Sequence, residues 1–271
     1  MSMKPTFAEY SKWHMENLNE DLDSESIKKK YSANLTLAQA SINNHPFMEE
    51  CSRLLATLAE EKLFALTEGS KAPNFSFSTK PYQSSVDKTF RKNCNWNRSF
   101  PKPPREGWLT AKSWFKVLDD LIRTNLVCRY IDGPERVCRS IAEGANKHGI
   151  AADFSPRATD QGYYAYHCYL RFPADLVAHD NNEVEAGYVN VEIQVTTQLQ
   201  EILRELTHPF YQSRRLQEQR PAIVDRWDFG SKQFTASYLG HTLHLIEGMI
   251  VQLRDTTSSR PGTTSGNEAQ E

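Results

Sequence analysis

At 271 residues the chain is long enough to bury one substantial core with a helical extension, and its composition shows no sign of two unrelated halves. A formal net charge of −2 excludes a global field for nucleic acid, so affinity for phosphates has to come from local clusters. Five widely spaced cysteines without a C-x-x-C pair argue against a zinc knuckle or a disulfide framework, and the lack of a long apolar run argues against secretion and membrane insertion, so a cytoplasmic protein is expected.

From Phe7 to about Thr67 apolar positions recur at helical spacing: Phe7, Tyr10, Trp13, His14 and Leu18, then Phe47, Leu54, Leu55 and Leu58. Gly69 to Phe77 is punctuated by Gly, Ser and Pro, after which Pro81 suits the first turn of a short helix carrying Ser84 to Lys92. A loop rich in Asn and Pro follows, from Asn93 to Gly107. It lies in a basic stretch: eight Lys and Arg between Lys88 and Lys116 stand against one acid, Glu106, with Phe90, Trp96, Phe100, Trp108, Trp114 and Phe115 interleaved. Such a stretch suits either a solvated loop anchored by Trp or a surface that meets phosphates.

From Leu121 the period shifts to two. Ile122, Thr124, Leu126 and Cys128 alternate with Arg123, Asn125 and Val127, which predicts a strand over 121–130. Gly133-Pro134 opens a helix to about Lys147, Gly149 stops it, and short strands are expected from Ala151 to about Phe154 and from Tyr163 to Phe172. Tyr188 to Thr196 alternates strictly, with Val189, Val191, Ile193 and Val195 on one face and Asn190, Glu192, Gln194 and Thr196 on the other. A helix over 198–219, interrupted at Pro209, and a last one from Lys232 to Arg254 complete the pattern, and the tail after Asp255 is expected to be disordered.

Several residues in this frame could carry chemistry. Glu192 is a carboxylate in mid-strand among Val and Ile, costly unless paired or coordinating. Asp120 precedes the first long strand, where it suits either a metal ligand or, beside Asp119, an ordinary cap. Lys80, Ser84 and Lys88 recur at i, i+4 and i+8, which lines them along one side of a helix or its approach; the same pattern is common on exposed helices. Tyr163 and His167, four apart on a strand, project to one face, although the Tyr163, Tyr164, Tyr166, Tyr169 group also suits core packing. His241-x2-His244-x2-Glu247 shares a helix face but not the H-E-x-x-H spacing of a zinc site, and no Walker A or dinucleotide glycine motif occurs.

Four stretches in order, Lys80-x3-Ser84-x3-Lys88, Asp120-Leu121-Ile122, Gly162-Tyr163-x3-His167 and Val191-Glu192-Ile193-Gln194-Val195-x-Thr197, resemble the synthetase domain of the RelA/SpoT family. The resemblance spans roughly residues 75 to 212 and implies an α+β fold. Its mixed β-sheet of about five strands would be flanked by helices, nucleotidyltransferase-like, with helical N- and C-terminal extensions. It also implies an ATP-dependent pyrophosphokinase of the small alarmone synthetase kind, acting on GDP or GTP to give ppGpp or pppGpp. Two alternatives are a toxin-type relative that modifies the 3′ end of tRNA and has an antitoxin partner, and a nucleotide-binding protein without turnover. Implied roles are Asp120 and Glu192 on Mg²⁺, with Glu192 as base. Lys80, Ser84 and Lys88 would contact nucleotide phosphates, Tyr163 would stack on the acceptor base, and Arg123, His167, Gln194, Thr197 and His208 would lie in the nucleotide site. The expected organisation is a helical segment (1–70), a synthetase-like domain with C-terminal helices (71–255) and a tail (256–271); the oligomeric state is left open.

Three arginines usual in the family are replaced here by Ser78, Asn125 and Thr196. The first two sandwich the adenine of ATP in relatives, and cation–π contacts of that kind contribute about 0.5–2 kcal/mol each. Arg123, Arg98, Arg105 and the Trp residues of the basic loop are the candidates to substitute. On volume alone, Asp120→Ala and Glu192→Ala are expected to leave the fold intact.

Overall fold

The central strand of the sheet is the alternating segment 184–197, flanked by 122–128 and 164–177, and the apolar face of all three is covered. In the computed structural model the described residues are 4–64, 73, 75–179, 181–215 and 227–258, the side chains of 208–215 excepted. Three helices come first: α1 (Phe7–Leu18), α2 (Glu25–Asn43) and α3 (Phe47–Glu60). They are followed by β1 (Ser78–Thr79), α4 (Tyr82–Phe90), α5 (Trp114–Val117), β2 (Ile122–Cys128), α6 (Gly133–Lys147), β3 (Ala151–Ala158), β4 (Tyr164–Val177), β5 (Val184–Thr197), α7 (Gln198–Arg215) and α8 (Lys232–Ser258). The strand order is β1-β2-β5-β4-β3. β2 and β5 run parallel and the other pairs antiparallel, so the sheet is mixed and the fold α+β, as the sequence implies.

One face of the sheet is the core. Val189, Val191, Ile193 and Val195 of β5 lie with Ile122, Leu126 and Cys128 of β2 and Cys168, Leu170 and Phe172 of β4, all essentially fully buried. Val137, Cys138, Ile141 and Ala145 of α6 belong to the same core, as do Leu35, Ala38 and Ile42 of α2 and Phe47, Cys51 and Leu55 of α3. At about 1.5–3 kcal/mol for each large apolar side chain, this one-sided burial fixes which way the alternate residues must point. The opposite face is thereby left for polar groups.

Several boundaries differ from the sequence expectation. β3, β4 and β5 are longer than predicted, because β4 and β5 pair as one hairpin from Tyr166↔Val195 to Val177↔Val184. Cross-strand pairing thus recruits flanking residues that the sequence alternation does not mark. The loop expected from Asn93 begins as a π-helical turn, Arg91–Asn95, because Asn93 is buried and donates to the Tyr10 hydroxyl and the Leu109 carbonyl, at 2.9 and 2.8 Å. α7 continues through Pro209, since a proline deletes one helical hydrogen bond without necessarily ending the helix. α8 runs to Ser258 rather than stopping at 254, and the remainder of the predicted tail lies outside the described residues. No helix among the described residues is long and apolar enough to cross a membrane.

The last helix is locked onto the turn between β3 and β4. His241 Nδ1 and the Tyr164 hydroxyl are 2.7 Å apart, and His244 stacks on the Tyr164 ring at 3.6 Å. The His241, His244, Glu247 face therefore serves packing, with Glu247 buried and its carboxyl pushed up by desolvation. Gly162, at φ +78°, approaches so closely that a Cβ would lie 2.4 Å from the Ser237 carbonyl oxygen and 3.0 Å from Gly240 Cα. Gly162→Ala combines left-handed strain with a backbone clash, so it should lower stability by about 2 kcal/mol or more in urea unfolding. A loss below about 0.5 kcal/mol would show that the contact is loose.

Candidate active site

The parallel register of β2 and β5 sets Arg123 beside Glu192 and Asn125 beside Gln194, and the β4–β5 register adds His167 opposite Gln194 and Tyr169 opposite Glu192. All of these point away from the core. Glu192 is only 6% exposed, yet both its oxygens are satisfied: Oε1 lies 2.8 Å from His167 Nδ1 and Oε2 accepts from Gln194 Nε2 at 2.9 Å. The other ring nitrogen of His167 lies 3.0 Å from the Tyr163 hydroxyl. A neutral His167 satisfies the chain Tyr163–His167–Glu192 if the phenol donates to Nε2 and Nδ1–H donates to the carboxylate.

Burial works to raise the Glu192 carboxyl, but His167 and Gln194 outweigh it and hold it below its ordinary value, so Glu192 is ionised near neutral pH. Burial pushes the Tyr163 phenol up to about 12, with Glu192 adding to the effect. It therefore stays a donor. Its half-buried ring meets His167 edge-on, at 6.0 Å between centroids.

A second anchored carboxylate lies nearby. Asp120, just before β2, takes Lys88 Nζ on Oδ1 at 2.8 Å and Lys80 Nζ on Oδ2 at 2.9 Å, all three side chains being less than one-fifth exposed. Lys80 reaches it from the turn before α4, where its backbone N–H donates to the Leu121 carbonyl at 2.8 Å; Lys88 comes from the last turn of α4. Neighbouring Asp119 accepts from Asn190 instead, at 2.9 Å. Desolvation acts to raise the Asp120 carboxyl, and the two ammonium groups more than offset it, leaving a value of about 2. Lys80 is lowered, chiefly by its own burial.

Beside Gln194 opens a cleft of about 350 Å³ lined by Ser76, Ser78, Arg123, Thr124, Asn125 and Arg204. Arg204, on α7, is held by Glu201 and, with the Asn125 amide turned to suit, donates to Asn125 Oδ1 at 3.1 Å. Arg123 and Arg204 are thus the cations that line the cleft together with Ser78 and Asn125, whereas Arg98 and Arg105 sit on the exposed loop and do not line it. The aromatic side chains of that loop are largely turned inward: Trp108 and Phe100 pack on Trp13 at 5.3 and 5.7 Å, and Phe90 on Phe7 at 5.5 Å. Trp96 is the exception, 52% exposed beneath Arg91.

The structure brings the predicted residues together in two groups, Lys80 and Lys88 on Asp120, and Tyr163, His167 and Gln194 around Glu192, with Arg123 beside Glu192 in the sheet. Ser84 is half-buried on α4, one turn before Lys88. Thr197 is not brought in. It has the opposite strand parity, is buried, and serves α7 and Glu247 instead. His208 falls on α7, with its side chain outside the described residues. Sequence reasoning missed Arg204, Tyr169 and Arg157. Tyr169 shares the parity of His167 and could have been found that way; its hydroxyl lies 3.2 Å from His167 Nδ1 and accepts from Arg157 at 2.9 Å. Arg204 and Arg157 depend on helix placement and strand register, which no motif here encodes.

No protein-family model and no curated protein sequence matches the chain. Solved structures do. It superposes on the small alarmone synthetase 1 from Bacillus subtilis bound to its product pppGpp with a TM-score of 0.52 at 15% identity, covering 85% of this chain and 100% of that one. Against the small alarmone synthetase 2 from Bacillus subtilis the TM-score is 0.50 at 14% identity, covering 84% and 99%. The chain therefore has the fold of the RelA/SpoT-type small alarmone synthetases.

Asp120 also bears on stability. Its folded value of about 2 lies below the ordinary 3.8, so its contribution is complete above about pH 4 and is lost as pH falls through the folded value. Wild type should lose about 2 kcal/mol more than Asp120→Asn between pH 4.5 and pH 2, read from urea midpoints. The geometry also corrects the expectation that Asp120→Ala spares the fold: it would leave two adjacent, largely buried ammonium groups without their carboxylate.

Proposed function

We propose that the protein is an ATP-dependent pyrophosphokinase that transfers the β,γ-pyrophosphate of ATP to the ribose 3′-hydroxyl of GDP or GTP. The observation that carries this reading is the pair of separately anchored, ionised carboxylates, Asp120 between two lysines at the entry to β2 and Glu192 between His167 and Gln194 on the sheet face away from the core. Phosphoryl-type transfer demands positioning and charge neutralisation more than covalent chemistry. Lys80, Lys88 and Arg123 supply positive charge. The arginine-lined cleft beside Gln194 offers room for a donor base between Arg123 and Arg204. Glu192 can accept the proton of the attacking hydroxyl, with His167 orienting it, and Tyr163 can stack on the acceptor base.

The oxygens of Asp120 and Glu192 fit a hard divalent cation such as Mg²⁺. Among the described residues no group of three or more His, Cys, Asp and Glu is arranged to hold a metal, so the remaining ligands of such an ion would have to come from phosphate and water. When bound, the ion would supply charge compensation on the phosphate oxygens, with Asp120 and Glu192 holding it. Lys80 and Lys88, freed from Asp120, would then face the same phosphates.

A second reading, transfer to the 3′ end of tRNA with an antitoxin as partner, is favoured by the exposed Arg98, Lys102 and Arg105. The inward packing of Phe100 and Trp108 leaves that surface to phosphate contacts more than to base stacking.

Incubation with Mg²⁺ and γ-labelled ATP, plus either GDP or deacylated tRNA, tests both. Label should move to GDP; movement to tRNA alone would establish the second reading, and movement to neither would leave a nucleotide-binding protein. Glu192→Gln should lower kcat by about 10²–10⁴-fold while the chain still binds an ATP analogue. Tyr163→Ala should raise KM for the acceptor more than for ATP, and a mainly ATP-side defect would contradict the stacking role.

A further inference from the structure

A second cleft, of about 470 Å³, lies at the far end of the β4–β5 hairpin, between α2, the 111–116 segment and residues 176–187. It shares no lining residue with the cleft beside Gln194. Gly187, on its rim, precedes Glu192 by five residues, about 17 Å along an extended strand. Its size is within the range of small-molecule sites, roughly 300–1,000 Å³.

The chemistry of its walls is specific. Lys30, Lys112 and Lys116 come from two separate elements, and Glu185 is the one carboxylate among the described lining residues. Lys30 is held in place by donating to the His179 carbonyl. Trp114 and Phe115, both buried, give the cleft an aromatic wall, against which Tyr31 packs edge-on to Trp114 at 5.5 Å and 89°. The cleft is tied together across its width, because Asn34 on α2 accepts from the Val177 N–H at 2.6 Å and donates to the Val177 carbonyl at 3.2 Å. Three cations from two elements around a cleft of this size suit a phosphorylated small molecule.

Tyr31 joins this cleft to the candidate active site. Its ring lines the cleft, while its hydroxyl donates to the Lys80 carbonyl at 2.7 Å and lies 2.8 Å from Ser85 Oγ on α4. Lys80 holds Asp120, and α4 carries Lys88. We propose that the cleft between α2, α5 and the β4–β5 turn binds a phosphorylated small molecule, and that Tyr31 transmits its occupancy to the Lys80–Asp120–Lys88 group. A ligand gripped by the lysines presses on the Tyr31–Trp114 wall, and the hydroxyl end of Tyr31 shifts the segment from which both site lysines project. Coupling of this kind is reciprocal, so occupancy of either site alters affinity at the other. Calling the effect regulation rests on the proposed transferase reading; the second binding site does not.

Inorganic triphosphate titrated into the full chain by calorimetry should fill two classes of site. Lys112→Glu combined with Lys116→Glu, both exposed positions, should weaken one class at least tenfold and spare the other, and Lys88→Ala should do the reverse. In the Lys88→Ala chain, triphosphate should slow hydrogen exchange at residues 112–117 and 181–187, and also at 78–88; adding Tyr31→Phe should abolish only the effect at 78–88. A single class in the native chain, unchanged binding in the double glutamate variant, or an effect at 78–88 that survives Tyr31→Phe would overturn the proposal. These readouts need no turnover, so failure of labelled ATP to react would count against the proposed function alone.

Discussion

Two ammonium groups closing on one carboxylate organise the working side of this protein. Lys80 precedes α4, Lys88 ends it, and Asp120 stands at the mouth of β2, so their ion pairs pin an otherwise short helix to the sheet edge. A helix of this length has little stability of its own and depends on tertiary contacts. The arrangement is also electrostatically unbalanced: two cations share one anion in a partly desolvated spot, an excess of one positive charge among the described residues of this group. That surplus is what an anionic ligand would meet.

The sheet does the complementary work. Because side chains alternate with period two, burying Val189, Val191, Ile193 and Val195 obliges Glu192 and Gln194 to face the other way, and the parallel pairing with β2 brings Arg123 alongside. Glu192 survives in its nearly dry position because His167 and Gln194 occupy both of its oxygens. Apolar packing on one face and polar satisfaction on the other are thus the same constraint seen from two sides.

Much of this was legible in the chain itself. Strict alternation over 188–196 marked the strand and the direction of Glu192, and the spacing of Lys80 and Lys88 foretold a shared side. What the pattern could not show was anything that depends on register or on packing between distant segments. Of the β5 residues before Tyr188, Val184, Glu185 and Ala186 are exposed and Gly187 is half-buried, so no buried face marks them as strand and they join one because β4 lies beside them. Arg204 carries no motif and matters through the place where α7 crosses the sheet. Thr197 matched a family pattern yet fell on the buried parity, where it bonds to its own helix and to Glu247. The aromatic residues of the basic stretch read equally well as anchors or as platforms, and contacts with α1 decided for anchoring in Phe90, Phe100 and Trp108.

The contact between Gly162 and Gly240 has a consequence for reading other chains. Each glycine is constrained by the other's backbone, so neither can acquire a side chain independently, and the two positions should drift together or stay fixed together through descent. Tyr163 follows the first of them directly, which makes the placement of its ring hostage to a residue on the final helix. A Gly-Tyr turn accompanied by a glycine on a terminal helix is therefore a joint marker, and its two halves can be sought in sequences too divergent for ordinary alignment.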